Sequence, residues 1–323
     1  MCLSPHTAAK IRHEVQACAF SGAPCPLLII NTAEGLLQVA VVATSTGLPR
    51  LKAWAERRAE SRGSELLAPL ILETMAHAGV APASLRGTAA VRGPGGFTGL
   101  RLAAATAAGL ARAAGTLTAG LDYLPLLAAS ALLRGIPAEA HSAGGMCDAD
   151  GVTDVPAGGP QLARRLWVLV HARKTLLYSQ TFDACGDAAM GTAGPDGDIR
   201  LLAPEEAAAR IDSEARQGGP RPELLGSGVR NHPAIFAEFL EPPEKSGRAA
   251  PVLLLPLEYD NPAPEALLRA VACAEWLRED IVPRYFRPPD AEENLAVAAR
   301  ALGLDPEAAK TRLKYLRDSF PQV

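Results

Sequence analysis

Two apolar runs separated by a short polar turn open the hydrophobic pattern of the chain. Residues 27–31 and 36–43 are almost wholly apolar, and their spacing predicts a strand, a tight turn and a second strand. The same shape returns at residues 166–170 and 175–182, around a polar turn at residues 171–174. The repetition predicts two halves of similar structure that arose by duplication.

Apolar positions at helical spacing follow each of the two predicted hairpins. The predicted helices are residues 64–78, 98–114 and a segment ending near residue 133 in the first half, and residues 204–211 and 264–277 in the second. The runs 87–91, 117–121, 224–226 and 252–255 predict short strands between them. Strands that alternate with helices indicate an α/β protein.

These elements divide the chain into six segments. We predict an N-terminal extension (1–23), a first subdomain (24–135), a flexible linker (136–163), a second subdomain (164–260), a helix returning to the first subdomain with a closing segment (261–289), and a C-terminal helical hairpin (290–323). The linker is rich in glycine, alanine and proline and has no hydrophobic period.

The composition limits what the protein can bind unaided. The 323 residues are 48% hydrophobic, which allows a substantial core, and the formal net charge of −3 gives no overall basic field for holding nucleic acid. The six cysteines contain no Cys-x-x-Cys pair, which favours reduced thiols and a cytoplasmic location. No segment has the pattern of a signal peptide or a membrane span, so we expect no membrane contact.

The C-terminal segment predicts two helices, residues 294–302 and 307–316, joined by Gly303-Leu304-Asp305-Pro306. Four basic residues cluster in the second helix: Lys310, Arg312, Lys314 and Arg317. The arrangement resembles the helix-turn-helix units that read DNA, so a nucleic-acid-binding module is one function to consider. The alternative is a surface helical hairpin, because two helices lack the third that supports such a unit.

A glycine-rich stretch lies between the predicted strand 87–91 and the helix 98–114. It reads Arg92-Gly93-Pro94-Gly95-Gly96-Phe97-Thr98-Gly99-Leu100-Arg101. Glycines before a helix N-terminus let the backbone approach an anion closely, so a phosphate cradle is one interpretation. The stretch lacks the lysine of a P-loop and the last glycine of a dinucleotide fingerprint. The other interpretation is a tight strand-to-helix turn with Thr98 as the helix N-cap.

This ten-residue stretch resembles the signature of the TsaB (YeaZ) family, which usually has serine in place of Gly96. Four further segments resemble family elements in the same order along the chain: residues 29–33, 64–69, 171–174 and 283–287. The resemblance covers roughly residues 27–287 and leaves both termini outside it.

The resemblance implies a duplicated actin-like ATPase (ASKHA, RNase H-like) fold of two subdomains, with a degenerate nucleotide cleft and a C-terminal helical appendix outside it. It implies a non-catalytic scaffold that pairs with the catalytic relative TsaD, with TsaE as a further component, in forming threonylcarbamoyladenosine on tRNA. It also implies a homodimer in the absence of TsaD, contact with tRNA only through the complex, and no required cofactor, with weak ATP or ADP binding left open.

Two hairpin turns depart from the family, because Asn31 and His171 stand where it usually has aspartate. In active members of the fold, carboxylates in these turns help hold the metal and the attacking water. We therefore expect no catalytic residue and no metal site. The alternative function, a free-standing ATPase or phosphotransferase of the same fold, would need those carboxylates. The glycine-rich residues expected to form a degenerate phosphate site are Arg92, Gly93, Pro94, Gly95, Gly96, Phe97, Thr98, Gly99 and Arg101.

The helices 64–78 and 98–114 carry the expected partner surface. The apolar arc of the first helix spans roughly 200°, about twice the stripe that covers a core, and the second helix is rich in alanine. In the family these helices pair with the matching helices of TsaD in a four-helix interface. The contacts expected on this surface are Leu67, Leu70, Ile71, Met75 and Leu102.

Overall fold

The computed structural model describes residues 15–16, 23–45, 48–59, 61–134, 164–173, 175–184, 194–240, 252–286 and 295–319. The expected linker 136–163 and most of the N-terminal extension 1–23 lie outside the described residues, as does Lys174 of the second polar turn. The chain divides into two compact units, Met1–Arg284 and Tyr285–Val323. Each unit is described by itself.

The first subdomain is built on a six-stranded sheet. Its strands are β1 (Val15–Gln16), β2 (Leu27–Asn31), β3 (Leu36–Ser45), β4 (Leu48–Arg58), β5 (Gly87–Gly93) and β6 (Leu117–Asp122), in the spatial order β1-β4-β3-β2-β5-β6. The strands β2, β3 and β4 pair antiparallel, whereas β2, β5 and β6 run parallel. The helices are α1 (Gly63–Ala78), α2 (Phe97–Ala114) and α3 (Tyr123–Arg134), with a 3-10 turn at Pro82–Ser84.

The second subdomain repeats this plan on a five-stranded sheet. Its strands are β7 (Arg164–Arg173), β8 (Leu176–Ala184), β9 (Gly194–Leu202), β10 (Pro222–Leu225) and β11 (Leu253–Leu254), in the order β11-β10-β7-β8-β9. Its helices are α4 (Pro204–Arg216), α5 (Ser227–Asn231), α6 (Pro233–Phe236) and α7 (Pro264–Ala272), with 3-10 turns at Ala237–Leu240 and Leu257–Asp260.

Both sheets share one strand order, in which an antiparallel three-strand meander continues into parallel strands at its first strand. The meander is β2-β3-β4 in one sheet and β7-β8-β9 in the other, and the parallel strands are β5 and β6, or β10 and β11. The predicted duplication and the two-subdomain actin-like fold are confirmed by this order.

The third strand of each meander was not predicted from the sequence. In β4 the buried Leu51, Ala53 and Ala55 alternate with Lys52, Trp54 and Glu56, and Pro49 near the start of the run weakens its strand signal. Strand β9 reads Gly-Pro-Asp-Gly-Asp-Ile-Arg-Leu-Leu and is largely exposed, so it lacks the apolar alternation of a half-buried strand.

The helices α1 and α2 cover one face of the first sheet and bury most of the residues expected at a partner surface. Leu67, Leu70, Ile71 and Met75 pack with Ala103 and Ala107 of α2 in a single core cluster, and Ile71 is only 5% exposed. The expectation that these four residues include exposed contacts is therefore wrong, because the sheet needs them to cover its apolar face. Of the five expected contacts, Leu102 alone is partly accessible.

The helix α3 lies between the two sheets. It packs against β5 and β6 of the first sheet and against β7 and β8 of the second, and eight of its residues are buried. A helix that is apolar nearly all round is typical of such a position. Helix α7 packs on α3, β4 and β6, and it ends at Ala272, earlier than the predicted residue 277.

The second unit contains α8 (Leu295–Ala301) and α9 (Pro306–Ser319). In the part of the chain that the structure describes, no helix has both the length and the apolarity needed to cross a membrane.

Candidate functional site

The glycine-rich turn packs tightly against the first hairpin turn. A Cβ at Gly95 would lie 2.4 Å from the carbonyl oxygen of Ala33, and one at Gly99 would lie 2.0 Å from that of Thr32. The Thr32 hydroxyl donates to the Gly99 carbonyl at 2.6 Å, and the Gly96 N–H donates to the Ala33 carbonyl at 2.7 Å. These glycines are required because the backbone of the hairpin turn occupies the space where a side chain would lie.

The helix that follows begins one residue earlier than predicted. Helix α2 starts at Phe97, with Gly96 as the N-cap residue and without a side-chain cap. The interpretation of Thr98 as N-cap is therefore wrong, because close packing of Gly95 and Gly99 on the first turn sets where the helix starts.

Of the two arginines of the motif, Arg92 pairs with a carboxylate on the neighbouring strand and Arg101 lies over an aromatic ring of its own helix. The Arg92 guanidinium makes two hydrogen bonds to the Asp122 carboxylate, at 2.8 and 3.2 Å, and Arg284 reaches the same carboxylate at 3.0 Å. The Arg101 guanidinium lies 3.8 Å from the centre of the Phe97 ring. Arg92 therefore ties the end of β5 to the end of β6.

The side chain of Asn31 is fully used within its own hairpin. Its Nδ2 donates to Gln38 at 2.8 Å, and its Oδ1 accepts from the Ala33 N–H at 3.0 Å. Gln38 in turn donates to the carbonyl of Pro262 at 3.1 Å. Asn31 is buried, so these bonds satisfy a polar group that would otherwise be costly.

The two hairpin turns meet at Ser227, the first residue of α5. The backbone N–H of His171 donates to the Ser227 hydroxyl at 3.0 Å, and that hydroxyl donates to the Glu34 carboxylate of the first turn. Tyr123, at the start of α3, donates to the other oxygen of Glu34 at 2.9 Å. Glu34 of the first subdomain is therefore hydrogen-bonded to Ser227 of the second.

Burial changes the pKa of the Glu34 carboxyl at this junction. Loss of solvent around the carboxylate raises the pKa of Glu34 to about 7, although the hydroxyls of Ser227 and Tyr123 favour its charged form. The pKa of Tyr123 is also raised, by burial and by the neighbouring Glu34. Near neutral pH the Glu34 carboxyl is thus divided between its protonated and ionised forms.

Asp260 supports the second-subdomain side of the junction. Its carboxylate accepts from the Gly226 N–H at 2.8 Å and from the Arg230 guanidinium at 2.9 Å. Burial raises the pKa of Asp260, and the charge and hydrogen bonds of Arg230 oppose that rise. Gly226 adopts a φ of +108° and leaves no room for a Cβ beside the Leu169 carbonyl, so the Gly226–Ser227 turn is held against β7.

These residues do not fit a magnesium nucleotide of the kind that actin-like ATPases hydrolyse. Asn31 carries no charge and its side chain is hydrogen-bonded to Gln38, and the carboxylate of Glu34 is hydrogen-bonded to Ser227 of the second subdomain. The glycine-rich turn is filled by the backbone of Thr32 and Ala33. Among the described residues, no three His, Cys, Asp or Glu side chains come together in a cluster that could hold a metal ion.

The structure thus brings together some of the residues that the sequence singled out and adds others. Asn31, His171 and the glycine-rich turn lie around one junction, whereas Arg101 lies on the outer side of α2. The sequence did not single out Glu34, Tyr123, Ser227, Arg230 and Asp260 as functional residues. Their only signals were a turn glutamate, and a serine between two glycines after a short strand.

Comparisons with known proteins identify solved structures with the same fold. The sequence model described as "TsaD: tRNA N6-adenosine threonylcarbamoyltransferase" matches residues 57–146. No curated protein matches the chain. A solved structure from Pseudomonas aeruginosa, titled as a protein with similarity to peptidase YEAZ, is 22% identical over 81% of this chain and 99% of its own, with a TM-score of 0.51. A second, "YeaZ from Pseudomonas aeruginosa", is 21% identical over 80% of this chain and 99% of its own, with a TM-score of 0.53.

The chain has a YeaZ-like fold. The aligned region covers 99% of each solved structure, so nearly the whole of each has a counterpart in this chain. In this fold, the junction of Glu34, Tyr123 and Ser227 links the two repeated subdomains.

Proposed function

We propose that this YeaZ-like chain is a non-catalytic scaffold subunit in the formation of threonylcarbamoyladenosine on tRNA, pairing with a TsaD-family protein. The observation that carries the proposal is the match of residues 57–146 to the TsaD family within a YeaZ-like fold. The relation to YeaZ and TsaD supports a role in tRNA modification. In this proposal TsaE is a further component, tRNA is contacted through the complex, and a homodimer forms when TsaD is absent.

The side chains at the two hairpin turns and the glycine-rich turn support a scaffold rather than an enzyme. Asn31 and His171 stand where the family usually has aspartate, and the one carboxylate of the first turn, Glu34, is hydrogen-bonded to Ser227 and Tyr123. The glycine-rich turn is closed by the Thr32 and Ala33 backbone. Phosphoryl transfer depends on a positioned metal and water, and the described residues supply no ligand set for them. The transfer chemistry then belongs to the partner.

The purified chain is expected to hydrolyse ATP no faster than a protein-free sample and to transfer no threonylcarbamoyl group to tRNA. A phosphate-release assay at pH 7.5 with magnesium measures the first activity, and incorporation of labelled threonine into tRNA measures the second. Robust ATP hydrolysis that disappears in Glu34→Gln would instead favour a free-standing ATPase of the same fold.

The outer faces of α1 and α2 supply the partner surface in this proposal. Leu72 is 59% exposed on α1, and Phe97 is 41% exposed at the start of α2. Small or apolar exposed residues surround them along the two helices: Ala68, Pro69, Ala76, Ala105 and Gly109. Short side chains allow another pair of helices to approach closely, and large apolar groups such as Leu72 and Phe97 serve as anchors.

Leu72→Asp is expected to weaken the complex with a TsaD-family partner by about 30- to 100-fold, roughly 2–3 kcal/mol. The change places an unpaired charge at the centre of an apolar contact, where desolvation is costly. The affinity of the two purified proteins, measured by titration calorimetry, checks this result.

The matched control is Leu257→Asp, which alters a leucine of similar exposure, 58%, outside α1 and α2. It is expected to leave the affinity unchanged. Circular dichroism must show both variants folded, a condition that a charge at the buried Ile71 would not meet. Equal binding by wild type and folded Leu72→Asp would move the interface away from these helices.

A further inference from the structure

The C-terminal unit has a well-defined turn between its two helices. Four residues, 302–305, separate α8 from α9, and Gly303 adopts a φ of +70°. The Leu304 N–H donates to the Ala299 carbonyl at 2.8 Å, which closes α8. Asp305 then caps α9, because its carboxylate accepts from the N–H groups of Glu307 and Ala308 at 3.2 and 3.1 Å.

A small residue lies where the two helices pack together. Ala299, four residues before Gly303, is 3% exposed, and Ala309 and Leu313 of α9 are half-buried. A short helix, a turn of three or four residues that contains glycine and a second, longer helix are the features of a helix-turn-helix unit. The helical hairpin expected from the sequence therefore has helix-turn-helix form.

The second helix presents a basic and hydrogen-bonding outer surface. Its exposed residues include Lys310, Thr311, Arg312, Lys314 and Tyr315, and Tyr315 is 70% exposed. Residues 295–319 carry five lysines and arginines against three acidic residues, whereas acidic residues outnumber basic ones in the rest of the chain. The segment thus has a formal net charge of +2, whereas the rest of the chain has a formal net charge of −5.

We propose that this helical hairpin binds duplex DNA, with α9 lying in the major groove. The major groove of B-form DNA is about 12 Å wide and admits an α-helix, whereas the major groove of A-form RNA is deep and narrow. Arg312 and Lys314 contact the phosphates on either side, and Thr311 and Tyr315 face the base edges. This binding is an activity beyond the proposed role in tRNA modification.

Charge complementarity decides between DNA and a protein as the occupant of α9. Exposed apolar residues of the unit, Val297, Leu302 and Leu304, lie on α8 and in the turn. On α9, Lys310 is paired with the exposed Glu307, and the exposed Arg312 and Lys314 supply the cations that suit a phosphate backbone. The charge on α9 therefore favours duplex DNA over a protein as its occupant.

The test is a fluorescence anisotropy titration of the full chain with a labelled duplex DNA of about 30 base pairs and mixed sequence, and separately with unfractionated bacterial tRNA. We expect the duplex to bind, and its affinity to fall about 100-fold between 50 and 200 mM salt. The reason is that about four phosphate contacts release condensed counterions on binding. Arg312→Glu/Lys314→Glu is expected to weaken duplex binding at least tenfold and to reduce the salt slope by about two.

The matched control is Arg210→Glu/Arg216→Glu, which makes the same change in charge at two exposed arginines of α4. It is expected to weaken duplex binding less than threefold. The proposal is overturned if the duplex does not bind, if tRNA binds and the duplex does not, or if the two double variants behave alike. Thermal unfolding of both variants verifies that they remain folded. None of these results depends on whether Leu72→Asp disrupts the complex with a TsaD-family protein.

Discussion

Gly99→Ala is expected to lower the free energy of unfolding by roughly 2–3 kcal/mol. The added Cβ would lie 2.0 Å from the Thr32 carbonyl oxygen, a backbone atom that cannot move alone. Relief of the clash requires the first hairpin turn to separate from α2, which breaks the 2.6 Å hydrogen bond from the Thr32 hydroxyl. Urea unfolding followed by circular dichroism measures the change.

Gly109→Ala in the same helix is the matched control. A Cβ there meets no atom within 4 Å, and alanine favours the helix by about 0.5–1 kcal/mol over glycine. The control is therefore expected to stabilise the protein. If both alanine variants change stability in the same direction, the tight contact between the glycine-rich turn and Thr32 does not exist in solution.

Glu34→Gln is expected to reduce the pH dependence of stability by roughly 2 kcal/mol between pH 5 and pH 8. The pKa of Glu34 is raised to about 7 in the folded protein, above the ordinary value of 4.5, so folding takes up a proton in this range. Ionisation of Glu34 thus lowers the stability of the wild type as the pH rises from about 4.5 to about 7, and above pH 7 that loss is complete. Partial solvent access to the side chain reduces the size of the effect.

Glutamine resembles the protonated carboxyl, since its amide keeps hydrogen bonds to Ser227 and Tyr123 without a charge. The variant should therefore be more stable than the wild type at pH 8 and differ little from it at pH 5. Thermal unfolding at both pH values gives the comparison, with Glu275→Gln as a control for the loss of an exposed carboxylate. Parallel pH profiles for the wild type and Glu34→Gln would show that the Glu34 carboxyl is not protonated near neutral pH.

The sequence predicted the helices and strands with strong hydrophobic periodicity. It did not predict which of their apolar side chains are buried within the protein. The apolar runs at β2 and β7 identified both hairpins, and the glycine-rich stretch correctly marked a strand-to-helix turn. The wide apolar arc of α1 suggested a spare face, yet Leu67, Leu70 and Met75 are all needed to cover the sheet. Helical periodicity shows which residues share a face and gives no measure of how much neighbouring structure lies over it.

The junction residues could not be predicted because they come from distant parts of the chain. Glu34 and Ser227 are 193 positions apart, and Tyr123 is 89 positions from Glu34. A glutamate in a polar turn has the sequence signal of a solvated residue, and its pKa is raised because the folded chain buries the carboxyl. The protonation of Glu34 is thus a property of the tertiary structure.

The edges of the two sheets differ in what limits their pairing with a strand of another chain. A sheet edge with free N–H and C=O groups is a template for pairing with another chain. In the first subdomain β1 pairs with β4, and Leu277 forms a bridge with Thr118 of β6. In the second, β9 presents exposed Asp196, Asp198 and Arg200 along its outer edge. The duplicated sheets therefore discourage strand-to-strand aggregation by two different means, backbone cover in one half and charge in the other.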